Sequence, residues 1–202
     1  MKYLIAAAMI AASTMTALAQ DFDKGLAAFR DGDYATALGE FRPLAEQGHT
    51  EAQFYLGQLH DHGLGVPEDD AEAVRWYRLA AEKGFALAQF SLGNKYFNGE
   101  GVPEDDAQAV RWLRLAAEKG EANAQTNLGN MYRNGLGLSQ DYVASYMWFR
   151  IASALGAPEA AADYHKIAEV MEPEQIAEAQ RRAKVCMESN YKDCDDPNWS
   201  WR

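Results

Sequence analysis

Four groups of residues have the types and spacing that could do chemistry. His60-Asp61-His62 sets two imidazoles and a carboxylate within three positions, the raw material of a divalent-metal site. Ser189-Asn190-Tyr191-Lys192 has the Ser-x-x-Lys spacing that pairs a lysine with a nucleophilic serine in enzymes acylated by β-lactams. Cys186 and Cys194 offer a dithiol. Gly63-x-Gly65, repeated as Gly99-x-Gly101 and Gly135-x-Gly137, could cradle a phosphate.

The elements that must position these groups decide what they can do. Residues two apart on a helix point to opposite sides, so His60 and His62 cannot share an ion. His60 also stands where Tyr96 and Tyr132 stand in later repeats, a packing position, and no metal or other cofactor is expected. The Ser-x-x-Lys tetrapeptide falls between two cysteines near the C-terminus rather than opening a helix in a large α/β domain, and its companion motifs are missing. The two cysteines lie too far apart for a Cys-x-x-Cys redox pair. In an oxidising compartment they are expected to form a structural disulfide that staples the tail to a terminal cap, and its removal should leave the repeat helices nearly unchanged. The glycine pairs follow no strand and read as turns between helices. No catalytic residue is assigned, and the chain is not expected to be an enzyme.

The compartment is read from the first residues. Met1-Lys2, the apolar run Tyr3 to Ala12 and Ala17-Leu18-Ala19 form a secretory signal-peptide pattern, with cleavage expected between Ala19 and Gln20. The apolar run is too short for the roughly 20 residues of a spanning helix. No cysteine follows it to carry a lipid, and no arginine pair precedes it. The expectation is a periplasmic or secreted protein with no integral membrane segment after cleavage. The formal net charge is −11, and loss of Lys2 makes it more negative. So acidic a surface repels phosphate backbones and anionic membranes, which excludes nucleic acid as an expected partner.

A period of 36 organises the rest. Gln53, Gln89 and Gln125 keep it, as do Leu56-Gly57, Leu92-Gly93 and Leu128-Gly129, then Trp76, Trp112 and Trp148. Val66 to Gly84 and Val102 to Gly120 agree at 17 of 19 positions. Each unit predicts two helices and no strand. Helix A of the first unit spans about Glu51 to His62 and closes at Gly63. Helix B is capped by Asp69, with Glu72 in capping-box register, as Asp105 and Gln108 are in the next unit. Gly57, Gly93 and Gly129 sit inside helix A at a cost of about 1 kcal/mol each, which points to close approach of helix B, where Ala73, Ala80 and Ala81 are small enough to permit it. Helix pairs of this kind leave an apolar face that the next pair covers, giving a solenoid.

The pattern Ala88, Leu92-Gly93, Tyr96, Gly99, Gly101-Val102, Asp106, Ala109, Trp112, Ala116-Ala117-Glu118 and Gly120 resembles the Sel-one-like repeat, a branch of the tetratricopeptide superfamily. The first copy departs with His60, the third with Leu138, Ser153 and Ala154. The expected organisation is a signal peptide at 1–19, a tetratricopeptide-like helix pair at 20–49, three repeats at 50–159, capping helices at 160–190 and a tail at 191–202 carrying Trp199 and Trp201, flexible or lying on the cap. The resemblance implies an all-α, right-handed solenoid of antiparallel helix pairs whose A-helices line a concave face. That face binds protein or peptide partners in tetratricopeptide relatives. Carried over by register, ligand-facing positions are Phe54, Gln58 and Asp61, then Phe90, Asn94 and Phe97, then Thr126, Asn130 and Arg133. The basic residues of a C-terminal carboxylate clamp are missing at Phe54, Phe90 and Thr126. An exported scaffold or adaptor is therefore expected. The alternatives are a hydrolase or binder of β-lactams or cell-wall fragments, known among cysteine-rich relatives with a cysteine pair in each repeat, and a self-assembling structural protein.

Overall fold

A computed structural model describes residues 22–192 and Cys194, and these form ten helices with no strand among the described residues. They are α1 (22–31), α2 (Tyr34–Glu46), α3 (Thr50–Asp61), α4 (Asp70–Glu82), α5 (Ala86–Asn98), α6 (Asp106–Ala117), α7 (Ala122–Asn134), α8 (Tyr142–Ala154), α9 (Pro158–Ala168) and α10 (Pro173–Glu188). The fold is an all-α helical-repeat solenoid, the expected class. The signal-peptide pattern with its cleavage site, and the tail with Trp199 and Trp201, lie outside the described residues. No described helix is long and apolar enough to cross a membrane. The chain divides into two compact units, the first ending at Lys83 and the second beginning at Gly84.

The first unit holds α1 to α4. Its core gathers Ala37, Phe41, Leu44, Ala52, Leu56, Leu59 and Trp76, with the Phe41 and Tyr55 rings stacked 5.2 Å apart. Helix starts are fixed by side chains that accept otherwise unpaired backbone N–H groups. Asp33 accepts from Thr36 N at 3.1 Å, His49 Nδ1 from Ala52 N at 3.2 Å and Asp69 from Glu72 N at 3.0 Å. The expected capping box at Asp69 is only half formed. The Glu72 carboxylate grips Arg75 through two hydrogen bonds of 2.9 and 2.6 Å instead of reaching back, because a charged fork is the stronger partner. The repeated glutamine acts on a helix end. Gln53 Nε2 donates to Ala45 O at 3.0 Å and satisfies a carbonyl in the last turn of α2. Lys83 donates to Gly48 O nearby.

The second unit repeats these devices through α5 to α8. Asp105 and Asp141 cap α6 and α8, Gln125 Nε2 donates to Ala117 O at 3.1 Å, and Lys119 donates to Gly84 O. Helices α5 and α7 end on Gly99 and Gly135 with φ of 70° and 69°, the left-handed closure that glycine takes without penalty. The core joins Ala109, Leu113, Ala116, Leu128, Met131, Met147, Trp148 and Ile151. Helix α10 packs on α8, and its Ala183 and Cys186 enter this same core.

Cys186 and Cys194 are joined in a disulfide. It ties the capping helix α10 to the segment that follows it, as the expected staple does. Both sulfur-bearing residues are buried, at 0% and 4% exposure, among the side chains of α6, α7 and α8. The glycine argument is likewise refined. A Cβ at Gly57 would lie 2.7 Å from the Tyr77 ring, one at Gly93 2.8 Å from Leu113 Cγ, and one at Gly129 2.8 Å from the Phe149 ring. The approach is real, and at Gly57 the Ala73 carbonyl comes within 3.4 Å of the added Cβ as the small alanine permits, while at each glycine a large side chain of helix B lies closest.

Candidate partner-binding face

Helix α5 carries an apolar stripe that its own unit does not cover. Leu87 and Phe97 are each 40% exposed, and Phe90 lies half-buried between them against the core. Leu87, Phe90, Asn94 and Phe97 are spaced by three and four, so they share one face of the helix. Helix α7 presents Asn127, Asn130 and Asn134 at the same helical spacing. Between the two helices lies a cavity of about 280 Å³, lined by Phe97, Leu113, Asn127, Asn130, Met131, Asn134 and Leu136. One wall is apolar, the other is built of carboxamides, and no lining residue is charged.

The hydrogen bonds show which polar groups are already engaged. Asn127 Nδ2 donates to Asn94 Oδ1 at 2.8 Å, a bond between helices. Arg133 donates to Asn130 Oδ1 at 2.6 Å, reaches Asp163 Oδ1 at 3.4 Å and lies over the Phe149 ring, its guanidinium 5.6 Å from the centroid. Thr126 Oγ1 donates to Ala122 O within its own helix at 3.0 Å.

Of the expected residues, Phe97 and Asn130 line this cavity, Asn94 is bonded to its lining residue Asn127, and Phe90 shares the α5 face while packing against the core. Arg133 braces that groove from α7, and Thr126 spends its hydroxyl on the helix backbone. In the first unit the expected positions are placed differently. Phe54 is 5% exposed, with its ring 5.4 Å from Tyr55 and 5.8 Å from Tyr77, so it packs within the repeat and offers no open face to a ligand. Asp61 accepts from the Tyr77 hydroxyl at 2.9 Å, and Gln58 is half-buried. Sequence reasoning missed Asn127, Asn134, Leu87, Met131 and Leu136. The signal that could have found the first two is the asparagine run 123, 127, 130 and 134 along one face of helix A in the third repeat.

The other chemical candidates are spent locally. Ser189 Oγ donates to Cys186 O at 2.9 Å, and the Ser-x-x-Lys segment is a turn leaving α10 rather than the opening of a helix. His60 is half-buried, and removal from water holds its pKa below the ordinary value. Glu72 and Asp69 oppose that shift, while Arg42 and Arg75 add to it.

Comparison with known proteins gives consistent relatives. The Sel1 repeat matches at residues 50–85, 86–121 and 122–156. Among solved structures, a Sel1 repeat protein from Oxalobacter formigenes superposes with a TM-score of 0.68 at 35% identity, covering 71% of this chain and 59% of that one. A protective antigen present in uropathogenic Escherichia coli strains, displaying an SLR fold, gives 0.62 at 28% identity over 88% of this chain and 47% of that one. Among curated proteins, DAP3-binding cell death enhancer 1 of Rattus norvegicus is 38% identical over 45 residues, which is 22% of this chain. Its Mus musculus counterpart is 36% identical over 45 residues. The match spans only 9% of the length of either of these curated relatives.

Proposed function

Because the chain belongs to the Sel1 repeat family, whose members are helical-repeat scaffolds for protein interaction, we propose that it is an exported scaffold that binds a protein partner in the groove between α5 and α7. The observation that carries the reading is the stripe of Leu87, Phe90 and Phe97 left open beside a neutral, amide-walled cavity. Large apolar side chains kept at a surface beside a concavity are the usual anchors of an interface. Export is supported by the signal-peptide pattern at residues 1–19 and by a disulfide that needs an oxidising compartment to persist.

The test is capture. The chain from Gln20 onward, immobilised beside a Leu87→Ala/Phe97→Ala variant, is exposed to an envelope fraction. Both residues are substantially exposed, so the variant should keep its helical signal and melting behaviour. The expected result is a protein retained by the native chain and lost by the variant. Equal retention by both would place binding elsewhere on the molecule. N-terminal sequencing of the exported chain should begin at Gln20, and a retained Met1 would remove the export half of the reading.

A further inference from the structure

We propose that the cleft between the start of α8 and the start of α10 is a binding site for a neutral sugar, about one or two pyranose rings in size. The inference goes beyond the partner-binding reading, because the cleft shares no lining residue with the cavity between α5 and α7.

The repeat register marks the place. The first two repeats open helix B with the same run, Pro67-Glu68-Asp69-Asp70 and Pro103-Glu104-Asp105-Asp106, whose carboxylates suit the positive end of a helix. The third repeat has Ser139-Gln140-Asp141-Tyr142 there and keeps only the capping aspartate. A hydroxyl replaces the proline, and an amide and a phenol replace two charges. Packing accounts for Tyr142, which lies with Val143 against Tyr146, Ile167 and Met171. It does not account for Ser139 and Gln140, which are exposed.

These residues line a cleft of about 460 Å³, within the roughly 300–1,000 Å³ of sites that take a small molecule. Tyr132, Leu138 and Gln175 complete it. Its walls are held by the protein itself. Arg114 donates to the Tyr132 hydroxyl at 2.8 Å, Gln140 Nε2 donates to Arg133 O at 2.7 Å, and Gln175 Oε1 accepts from Glu172 N at 3.0 Å. The Gln140 carbonyl, the Gln175 amino group and the Ser139 hydroxyl remain for a ligand.

The chemistry of the lining selects that ligand. Asp141 is its one charged residue, and the carboxylate accepts from Ala144 N at 3.0 Å at the positive end of α8. With that charge already answered, a cation gains little. An anion would meet a carboxylate and no cation in the lining. A purely apolar ligand would strip water from the amides and the hydroxyl without replacing their bonds. What fits is an uncharged molecule with donors and acceptors around its rim and C–H faces for Tyr132, Leu138, Tyr142 and Val143. A pyranose ring has both.

The experiment titrates the isotope-labelled chain from Gln20 onward with glucose, galactose, mannose, N-acetylglucosamine, maltose and cellobiose, and follows backbone amide shifts. At least one of these sugars should move the amides of Ser139 to Val143 and of Gln175 saturably. Ser139→Ala and Gln175→Ala, both at exposed positions and with melting midpoints to check the fold, should each weaken that sugar about two- to tenfold, the scale of one hydrogen bond. Leu87→Ala/Phe97→Ala should bind it as the native chain does, which separates this site from the partner groove. Glucosamine and glucuronate, which add a charge of either sign to the same ring, should bind no better than glucose. The assignment is overturned if no sugar moves these amides, if binding is indifferent to both single substitutions, or if a charged analogue binds more tightly than its neutral parent. Loss of binding in the Leu87/Phe97 variant would overturn it as well, and would move the sugar to the other groove.

Discussion

At the scale of single residues, the repeat glycines are the positions where sequence and packing meet most directly. Gly93 sits where an added Cβ would lie 2.8 Å from Leu113 Cγ and 3.3 Å from its backbone nitrogen. Alanine is worth about 1 kcal/mol over glycine inside a helix, so Gly93→Ala sets that gain against a clash with a branched carbon. Because the nearest atom is close to the α6 backbone and cannot swing far, the clash should win. Gly93→Ala is expected to be neutral to destabilising, and Gly93→Val to cost about 1–3 kcal/mol in chemical denaturation. A stabilised Gly93→Ala would show that Leu113 yields freely. The anomaly of a helical glycine was legible in the sequence. Its partner was not, because repeat spacing says which positions meet but not which side chain fills the space. Lys95 makes the same point in reverse. It is buried at a position held by Leu59 and Met131 in the flanking repeats, and its partner Glu100 replaces Leu64 and Leu136. Lys95→Met with Glu100→Leu restores the apolar pair that commonly closes such a helix end. That double variant should be at least as stable as the native chain, since a well-packed apolar pair often matches or exceeds an ion pair with one buried member, and this pair's carboxylate is exposed. Glu100→Leu alone should be less stable, because the mostly buried ammonium then loses the carboxylate it meets at the surface. Equal midpoints for the single and double variants in thermal denaturation would refute the pairing.

Among the elements, α3 stands apart because a histidine lies at each end. His49 caps its start through Nδ1, a bond that only an unprotonated nitrogen accepts, with Glu51 facing it at 3.4 Å. His60 lies in its last turn, where burial lowers its pKa and leaves Nδ1 without a hydrogen bond. The groups acting on His60 are Glu72 and Asp69, which favour its cation, and Arg42 and Arg75, which oppose it. For a histidine whose folded pKa is depressed, the unfolded chain takes up the proton first as pH falls. Its contribution to stability is therefore complete above the ordinary value of about 6.5 and is lost as pH drops through the folded value. Amide exchange in α3 should accelerate between pH 7.5 and 5 by more than in α7, which has no histidine. His60→Tyr, which restores the tyrosine of the other repeats, should flatten that dependence. An unchanged pH profile in this variant would remove His60 from the explanation. The helices themselves, and the caps at Asp69 and Asp105, were readable from period and residue type. The role of Gln53 and Gln125 was not, because a repeated polar residue is visible in sequence while the carbonyl it satisfies belongs to the preceding helix.

For the whole molecule, the repeat period identified the solenoid class, since stacked helix pairs are the way such units bury their open faces. The candidate groove was only partly readable. Register named Phe90, Asn94, Phe97 and Asn130, yet the same register placed Phe54 where the structure buries it against Tyr77, a residue replaced by Leu113 one repeat later. Identical positions acquire different exposure when the neighbouring helix changes the side chain facing them. The disulfide follows the same logic at larger range. Pairing was evident from two cysteines in one short stretch, but their burial depended on α10 turning back onto α8, which local sequence does not state. That burial changes the expected consequence of removing the bond. A staple on a loose tail would be dispensable, whereas this one sits in the core with Val110, Leu113 and Leu128, and Tyr191 inside its loop lies against Gly120, where an added Cβ would be 3.2 Å away. Asn190 and Tyr191 both hold positive φ, at 54° and 65°, conformations that nonglycine residues keep only when the surroundings enforce them. Cys186→Ser with Cys194→Ser should therefore lower the stability of the second unit by about 2–3 kcal/mol, the scale of a short closed loop. Exchange should quicken at Val110, Leu113 and Leu128 while Leu44 and Leu56 of the first unit keep their protection, because in a repeat protein the loss is felt mainly by neighbours. Reduction with a dithiol under mildly denaturing conditions should reproduce the effect in the native chain and do nothing to the double variant. If protection at Leu113 and Leu128 survives both treatments, the disulfide contributes nothing to the core it occupies, and the expectation that its removal leaves the repeat helices nearly unchanged is restored.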